Sequence, residues 1–209
     1  MCKQQIAGKN FFLICALFSA IFIAFSCDKD NDPDSPDFLS PAYHISESEK
    51  LVIPSAVDLP DNLPGGNTRV ATFFAQGVQK YKAQPKAGSN PVTYEWVFVA
   101  PQADLYDATN KKAGTHSAGP SWQLSANDSL SGQAFNPAKT APGSDPNSID
   151  WLLLMPKTGK TPTGIFADVS YIQRIATQGG KAPATAPATA NETVDVNYTA
   201  IYRFTKKNP

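Results

Sequence analysis

The chain has 209 residues, of which 42% are hydrophobic, 11% aromatic and only 17% charged. Its 18 basic and 18 acidic residues balance, so there is no basic field to attract nucleic acid, and we expect no nucleic-acid partner. Eighteen prolines and thirteen glycines predict many turns and little long helix.

The N-terminus has the pattern of a bacterial secretory leader. Lys3 and Lys9 give it a positive start, and residues 11–25 (FFLICALFSAIFIAF) contain no charge. This run is too short for a membrane span of about 20 residues but suits the apolar region of a signal peptide. It ends at Ser26 and Cys27, followed at once by charged residues, which resembles a lipobox. The sequence predicts a signal peptide over residues 1–27 and lipidation, by palmitate or a similar chain, of Cys27. An uncleaved anchor and an ordinary secretory leader are the alternatives.

The leader determines the expected location and the disulfide content. Its removal leaves 16 basic and 18 acidic residues, a formal charge of −2, and takes Cys2 and Cys15 with it. With Cys27 lipidated, the mature protein has no internal disulfide. We expect a membrane partner through that lipid and a cell-envelope location, at the outer membrane. Since Asp28 directly after the cysteine is typical of inner-membrane retention in other bacteria, the choice of membrane and leaflet stays open.

A polar segment follows the leader. Residues 28–41 (DKDNDPDSPDFLSP) carry five Asp against one Lys, with three prolines. Such a composition buries little apolar surface and repels itself, which favours an extended chain. We therefore predict a flexible tether over residues 28–49 and one folded domain over residues 50–209.

The domain alternates between apolar stretches and turn residues. Gln76-Gly77 is expected to turn a hairpin between the first two strands, and residues 101–106 could form one helical turn. In the last strand the apolar residues from Val194 to Phe204 fall on one face and polar residues on the other. The pattern predicts an all-β fold, a mostly antiparallel β-sandwich or barrel of about eight strands. The expected strands are residues 69–75, 78–83, 94–99, 121–125, 130–135, 149–155, 169–176 and 194–204.

Several separated motifs resemble those of one family. They are AQGVQKY (75–81), GTHSAGPSW (114–122), WLLL (151–154), YIQRIATQGG (171–180) and VDVNYTAIYRF (194–204). In this order they resemble the domain of unknown function numbered 3455, found in secreted bacterial and fungal proteins, over residues 50–204. The resemblance implies a secreted, β-rich domain without assigned chemistry.

The resemblance also carries a geometric implication. Many members have a cysteine two residues after the position of Tyr81 and another after the Gly-Gly-x-x-Pro segment. Here the first position is Ala83, and the second falls in the loop APATAPATA (182–190). If the two cysteines pair in relatives, Ala83 lies near residues 184–188.

Few residues are candidates for metal binding or catalysis. His44 and His116 are the only histidines, and no dense carboxylate loop accompanies them, so we expect no metal site and no cofactor. His116 is the sole plausible general base. Ser117 or Ser121 with Asp104 or Asp107 could complete a triad with it, but no G-x-S-x-G motif supports one.

Carboxylates beside tryptophans offer a second chemistry. Glu95 adjoins Trp96 and Asp150 adjoins Trp151, an arrangement that glycoside hydrolysis could use. Tryptophans on strands can also stack on glycans, but at least two of the three are expected to pack together in one hydrophobic core.

Two functions from different classes remain open. The first is a non-catalytic envelope module that binds a glycan, a peptide or another envelope protein, with His116, Trp122 and Arg174 as candidate ligand contacts. The second is a small secreted hydrolase that uses His116 with a nearby Ser or Asp. Because the domain has only one histidine, the sequence favours the binding module. A structural role for His116, capping backbone groups in a Gly-rich turn beneath Trp122, competes with both.

Overall fold

Eight antiparallel strands, each hydrogen-bonded to the next and the last to the first, close into a barrel in the computed structural model, which describes residues 36–209. The predicted all-β fold of about eight strands is confirmed, and of its two forms the barrel is found. No α-helix occurs within the described range. The strands are β1 (Asn67–Pro85), β2 (Tyr94–Tyr106), β3 (Lys112–Ser117), β4 (Ser121–Ser125), β5 (Asp128–Ala141), β6 (Trp151–Pro156), β7 (Tyr171–Gly179) and β8 (Thr193–Lys207). Short 3-10 turns span Pro41–Tyr43, Ser46–Lys50, Ser55–Val57 and Gly164–Phe166.

The expected hairpin at Gln76-Gly77 is wrong, because β1 continues through it as one strand of 19 residues. A Cβ atom on Gly77 would lie 2.1 Å from the carbonyl oxygen of Gln102 on β2. The glycine therefore permits a close approach of neighbouring backbone, which is the other meaning of a glycine inside a strand pattern.

Two other expectations also fail. The helical turn over residues 101–106 is absent, because these residues continue β2 and bury Ala103 and Leu105 on its inner face. β3 was not among the predicted strands. It contains Gly114 and His116, so His116 lies in a strand and not in a turn. The predicted and observed numbers of strands agree only because two errors cancel. The predicted hairpin is the single strand β1, and β3 was not predicted.

The barrel interior follows the alternation of β8. Tyr198, Ala200, Tyr202 and Phe204 are buried on the inner face, as the pattern predicted. Phe204 packs against Phe166, with ring centroids 4.8 Å apart. The end of the barrel where β8 finishes is thus filled with aromatic side chains.

The N-terminal segment covers this filled end. Tyr43 is buried and packs against Phe38 and Phe73, with ring centroids 4.8 Å and 5.7 Å apart. Within residues 38–49, two aromatic side chains thus supply apolar area that the acidic composition concealed, and the boundary between tether and domain stays a prediction. The predicted signal peptide, Cys27 and the first part of the tether lie outside the described residues.

The same segment also covers part of the outer barrel surface. The Nε2 group of the buried Gln173 donates to the carbonyl of Val57 at 2.8 Å. Val57, Leu153 and Ala141 form a second apolar cluster there, so β6 is buried on both faces, as its continuous apolar run predicted. Across residues 36–209, no helix has the length and apolar character needed to span a bilayer.

Candidate functional site

His116 and Trp122 face each other across a tight turn at the end of the barrel opposite Tyr43. They form a cross-strand pair between β3 and β4, and their rings stack with centroids 4.8 Å apart and planes inclined by 15°. Gly119 in the connecting turn has a φ of 131°, which residues with a side chain rarely adopt. The glycine thus allows the turn that sets the two rings side by side.

Burial and one hydrogen bond define the state of His116. Its side chain is 3% exposed, and its Nδ1 lies 2.8 Å from the carbonyl oxygen of Ser121. Desolvation lowers the pKa of His116 to about 4; the Ser121 carbonyl opposes this shift and the charge of Arg174 adds to it. The ring is therefore neutral at pH 7. Because a carbonyl only accepts, Nδ1 carries the proton and Nε2 presents a lone pair.

A cavity of about 410 Å³ lies inside this end of the barrel. Every strand contributes to its wall, and the three residues proposed from the sequence, His116, Trp122 and Arg174, are brought together in it. The apolar part of the wall comes from Phe98, Val99, Pro101, Pro120, Ala134, Leu152 and Leu154, and Gln79, Tyr202 and Gly119 complete it.

A bulge in β2 shapes the apolar side of the cavity. Lys80 pairs with Ala100 and Tyr81 pairs with Phe98, which leaves Val99 without a partner on β1. Such a bulge re-aims neighbouring side chains, and here the consecutive residues Phe98 and Val99 both line the cavity. They are 49% and 51% exposed, so the cavity reaches solvent beside an apolar surface.

Three cavity residues have buried polar atoms that no described residue satisfies. These atoms are Nε2 of Gln79, Nε1 of Trp122 and the hydroxyl of Tyr202. The three side chains are at most 2% exposed. A buried polar group without a hydrogen bond costs about 1–3 kcal/mol, and these three atoms expose almost no surface to the cavity.

Arg174 supplies positive charge to the same cavity. Its Nε and Nη2 groups donate to the carbonyl oxygen of Asp150, at 3.1 Å and 2.8 Å. Burial raises the pKa of Tyr202, and the charge of Arg174 opposes the shift. No carboxylate within residues 36–209 forms an ion pair with Arg174.

The residues proposed to complete a catalytic triad are engaged elsewhere. Ser117 and Ser121 hydrogen-bond to each other through their hydroxyls at 3.0 Å, while His116 meets the Ser121 carbonyl. Asp104 pairs with Lys112 at 2.8 Å, and Asp107 accepts three hydrogen bonds within its own turn. None of these four residues lines the cavity.

The tryptophans occupy three different environments. Trp122 is fully buried in the main core, Trp151 packs against the outer cluster of Leu153, and Trp96 donates from Nε1 to the carbonyl of Thr185 at 2.9 Å. The expectation that two or more share one core is therefore wrong. Glu95 and Asp150 are exposed and do not line the cavity.

Sequence reasoning missed two polar residues of the site, Gln79 and Tyr202. Gln79 is the polar exception on the inward-facing positions of β1, between Gly77 and Tyr81, and this was a usable signal. This signal was missed because the hairpin expected at Gln76-Gly77 interrupted the alternation of inward-facing and outward-facing residues along β1. Within the described part of the chain, no three His, Cys, Asp or Glu side chains cluster as a metal site.

The family profile described as "Protein of unknown function (DUF3455)" matches residues 64–206. This chain belongs to that family. In this DUF3455 protein the match begins just before β1 and ends within β8, so it contains the whole barrel and its cavity. No curated protein and no solved structure shows a significant match to the chain. The prediction that Ala83 lies near residues 184–188 stays open, although Trp96, which contacts Thr185, is the strand partner of Ala83.

Proposed function

We propose that this protein is a lipid-anchored envelope protein whose barrel binds a small ligand without transforming it. The observation that carries the binding role is the cavity itself, which reaches solvent beside Phe98 and Val99 and has a mostly apolar wall with one charged residue, Arg174. A concave, largely apolar wall with few polar groups is typical of a small-molecule site.

The size of the cavity limits the ligand. Small-molecule sites usually enclose about 300–1,000 Å³, and the volume here, about 410 Å³, lies near the lower end. Eight-stranded barrels have an interior that holds one small ligand. A glycan or peptide would therefore enter only by its end, and a folded envelope partner could meet only the rim.

The geometry gives the hydrolase alternative less support. A general base needs a hydroxyl, a water or a substrate proton within hydrogen-bond reach. Of the two ring nitrogens of His116, Nδ1 is used by the Ser121 carbonyl, and no Ser or Asp side chain joins Nε2 in the cavity wall. Binding without catalysis is the simpler role for this wall.

The lipid anchor and the outer-membrane location are proposed from the sequence of residues 1–28. The test is the Cys27→Ser variant of the full chain, which should lose labelling by a palmitate analogue and leave the membrane fraction. The wild-type chain is the control. Retention of the variant in the membrane fraction would show that the leader itself is the anchor.

The binding role is tested with a cavity-filling variant. Ala134 lies in the cavity wall, so Ala134→Trp should remove ligand-induced increases in Tm that the wild-type protein shows in a panel of small acids, amides and sugars. Thr115→Trp, at an exposed position on the outer face of β3, is the matched control and should keep those increases. Equal responses of the two variants would contradict binding in the cavity.

A further inference from the structure

The cavity wall has an unusual balance of charge and hydrogen-bonding groups. Its one charged residue is Arg174, and no aspartate or glutamate lines it. A partly buried cation without a counter-charge is costly, since burial removes part of its hydration. The cavity wall therefore carries a positive charge that no residue of the wall balances, and it favours a ligand with a negative charge.

The guanidinium is held in place by the backbone. The carbonyl oxygen of Asp150 accepts from Nε and Nη2 of Arg174, which fixes the plane of the side chain. An arginine that is oriented in advance loses little further entropy when it binds an acceptor.

The surroundings of the guanidinium are apolar. Leu152, the strand partner of Arg174, lines the cavity beside it together with Leu154. A group with several acceptor lone pairs and a negative charge matches an arginine in such surroundings.

We propose that the ligand is an organic carboxylate with a compact apolar body. Its carboxylate binds the guanidinium of Arg174, and its body packs between Phe98, Val99 and the β6 leucines. This inference rests on the proposed function, because it names the ligand class of the same cavity. The neutral ring of His116 adds no second positive charge, so a monoanion is sufficient.

Three isosteric probes test the inference on the whole protein. Phenylacetate, phenylacetamide and phenethylamine share a phenyl body and differ in charge. Their dissociation constants are measured by titration calorimetry at low and high salt. Phenylacetate should bind at least about tenfold more tightly than phenylacetamide, phenethylamine should bind most weakly, and salt should reduce only the preference for the acid.

Arg174→Gln provides the decisive comparison. It should reduce the preference for phenylacetate over phenylacetamide to less than about twofold. Lys112→Gln removes an equal charge from the outer face of β3, where Lys112 pairs with Asp104, and should leave the preference intact. Circular dichroism and Tm measurements establish that both variants are folded. Arg174→Lys, which keeps the charge, should restore part of the preference even if Arg174→Gln is unstable.

The possible outcomes separate the two proposals. Equal binding of phenylacetate and phenylacetamide, abolished by Ala134→Trp, would overturn the carboxylate inference and leave the binding function in place. A preference for phenylacetate that persists in Arg174→Gln would also overturn it. If none of the three probes binds, the carboxylate inference fails, and the proposed function then depends on the wider panel of acids, amides and sugars.

Discussion

The imidazole of His116 stacks on the indole of Trp122, with ring centroids 4.8 Å apart and planes inclined by 15°. The Tyr202 ring contacts both, at 4.8 Å from His116 and 5.3 Å from Trp122. The three rings join β3, β4 and β8 across the barrel interior. His116 is thus both a packing element and part of the cavity wall.

Truncation of His116 should destabilise the barrel. His116→Ala removes the stack and leaves the Ser121 carbonyl without its partner, so the free energy of unfolding should fall by about 1–3 kcal/mol. Urea unfolding followed by circular dichroism measures the change. The matched control is Ser117→Ala, at the next residue of β3, where the side chain is exposed. Its free energy of unfolding should stay within about 0.5 kcal/mol of the wild-type value. An unchanged midpoint for His116→Ala would mean that the stack contributes nothing to stability.

Stability should depend on pH through the same ring. The pKa of His116 is lowered to about 4 in the folded protein and is near 6.5 when the chain is unfolded. Between these values the unfolded chain binds more protons. The contribution of the neutral ring to the free energy of unfolding is therefore fully present above pH 6.5. It is lost as the pH falls toward 4, by about 3 kcal/mol in total.

The His116→Phe variant isolates this contribution. It keeps an aromatic ring beside Trp122 but cannot titrate, so the loss of stability from pH 7 to pH 4.5 should be smaller than in the wild type. Other acid-sensitive groups are common to both proteins, and only the difference between them is informative. Parallel pH profiles would contradict the buried, neutral state of His116.

The N-terminal segment should contribute to folding. Tyr43 is 5% exposed, and Tyr43→Ala should lower the free energy of unfolding by about 3 kcal/mol, as for other large aromatic side chains in cores. The nearby Leu39 is 88% exposed, so Leu39→Ala is the control and should change stability little. Chemical unfolding of both variants decides whether residues 38–49 belong to the domain or to the tether.

The loop of residues 182–190 should lie within disulfide reach of Ala83. Trp96 pairs with Ala83 in the sheet and donates to the Thr185 carbonyl, which brings the loop to this edge. Ala83→Cys combined with Thr185→Cys or with Ala186→Cys should oxidise to an internal disulfide that stabilises the fold by about 2–4 kcal/mol. Mass spectrometry and melts with and without reductant measure it. The single-cysteine variants are the controls, and failure of both pairs to oxidise would refute the proximity.

Much of the fold could be predicted from period-two alternation. It identified β8, while a continuous apolar run identified β6, which is buried on both faces. It failed at Gly77 and Gly114, where glycine allows backbones to approach: a Cβ atom at Gly114 would lie 2.4 Å from the Gln123 carbonyl oxygen. A single sequence does not distinguish a glycine required by a turn from one required by a neighbouring strand.

The site was less predictable than the fold. His116, Trp122 and Arg174 could be singled out by residue type, but they meet only because β3, β4 and β7 face one interior. The bulge beside Phe98 and Val99 depends on a register shift against β1. Such a shift depends on long-range pairing, and no local pattern in β2 encodes it.

The indole N–H resonances offer the most direct test of the cavity as a ligand site. The chain has three tryptophans, and only Trp122 lines the cavity, while Trp96 lies in contact with the 182–190 loop and Trp151 on the outer cluster. In a ¹H–¹⁵N correlation spectrum titrated with phenylacetate, the Trp122 signal should shift progressively and saturate, with the other two nearly stationary. If neither phenylacetate nor phenylacetamide moves the Trp122 signal at millimolar concentration, or if all three signals move alike, the cavity is not the binding site that the account requires.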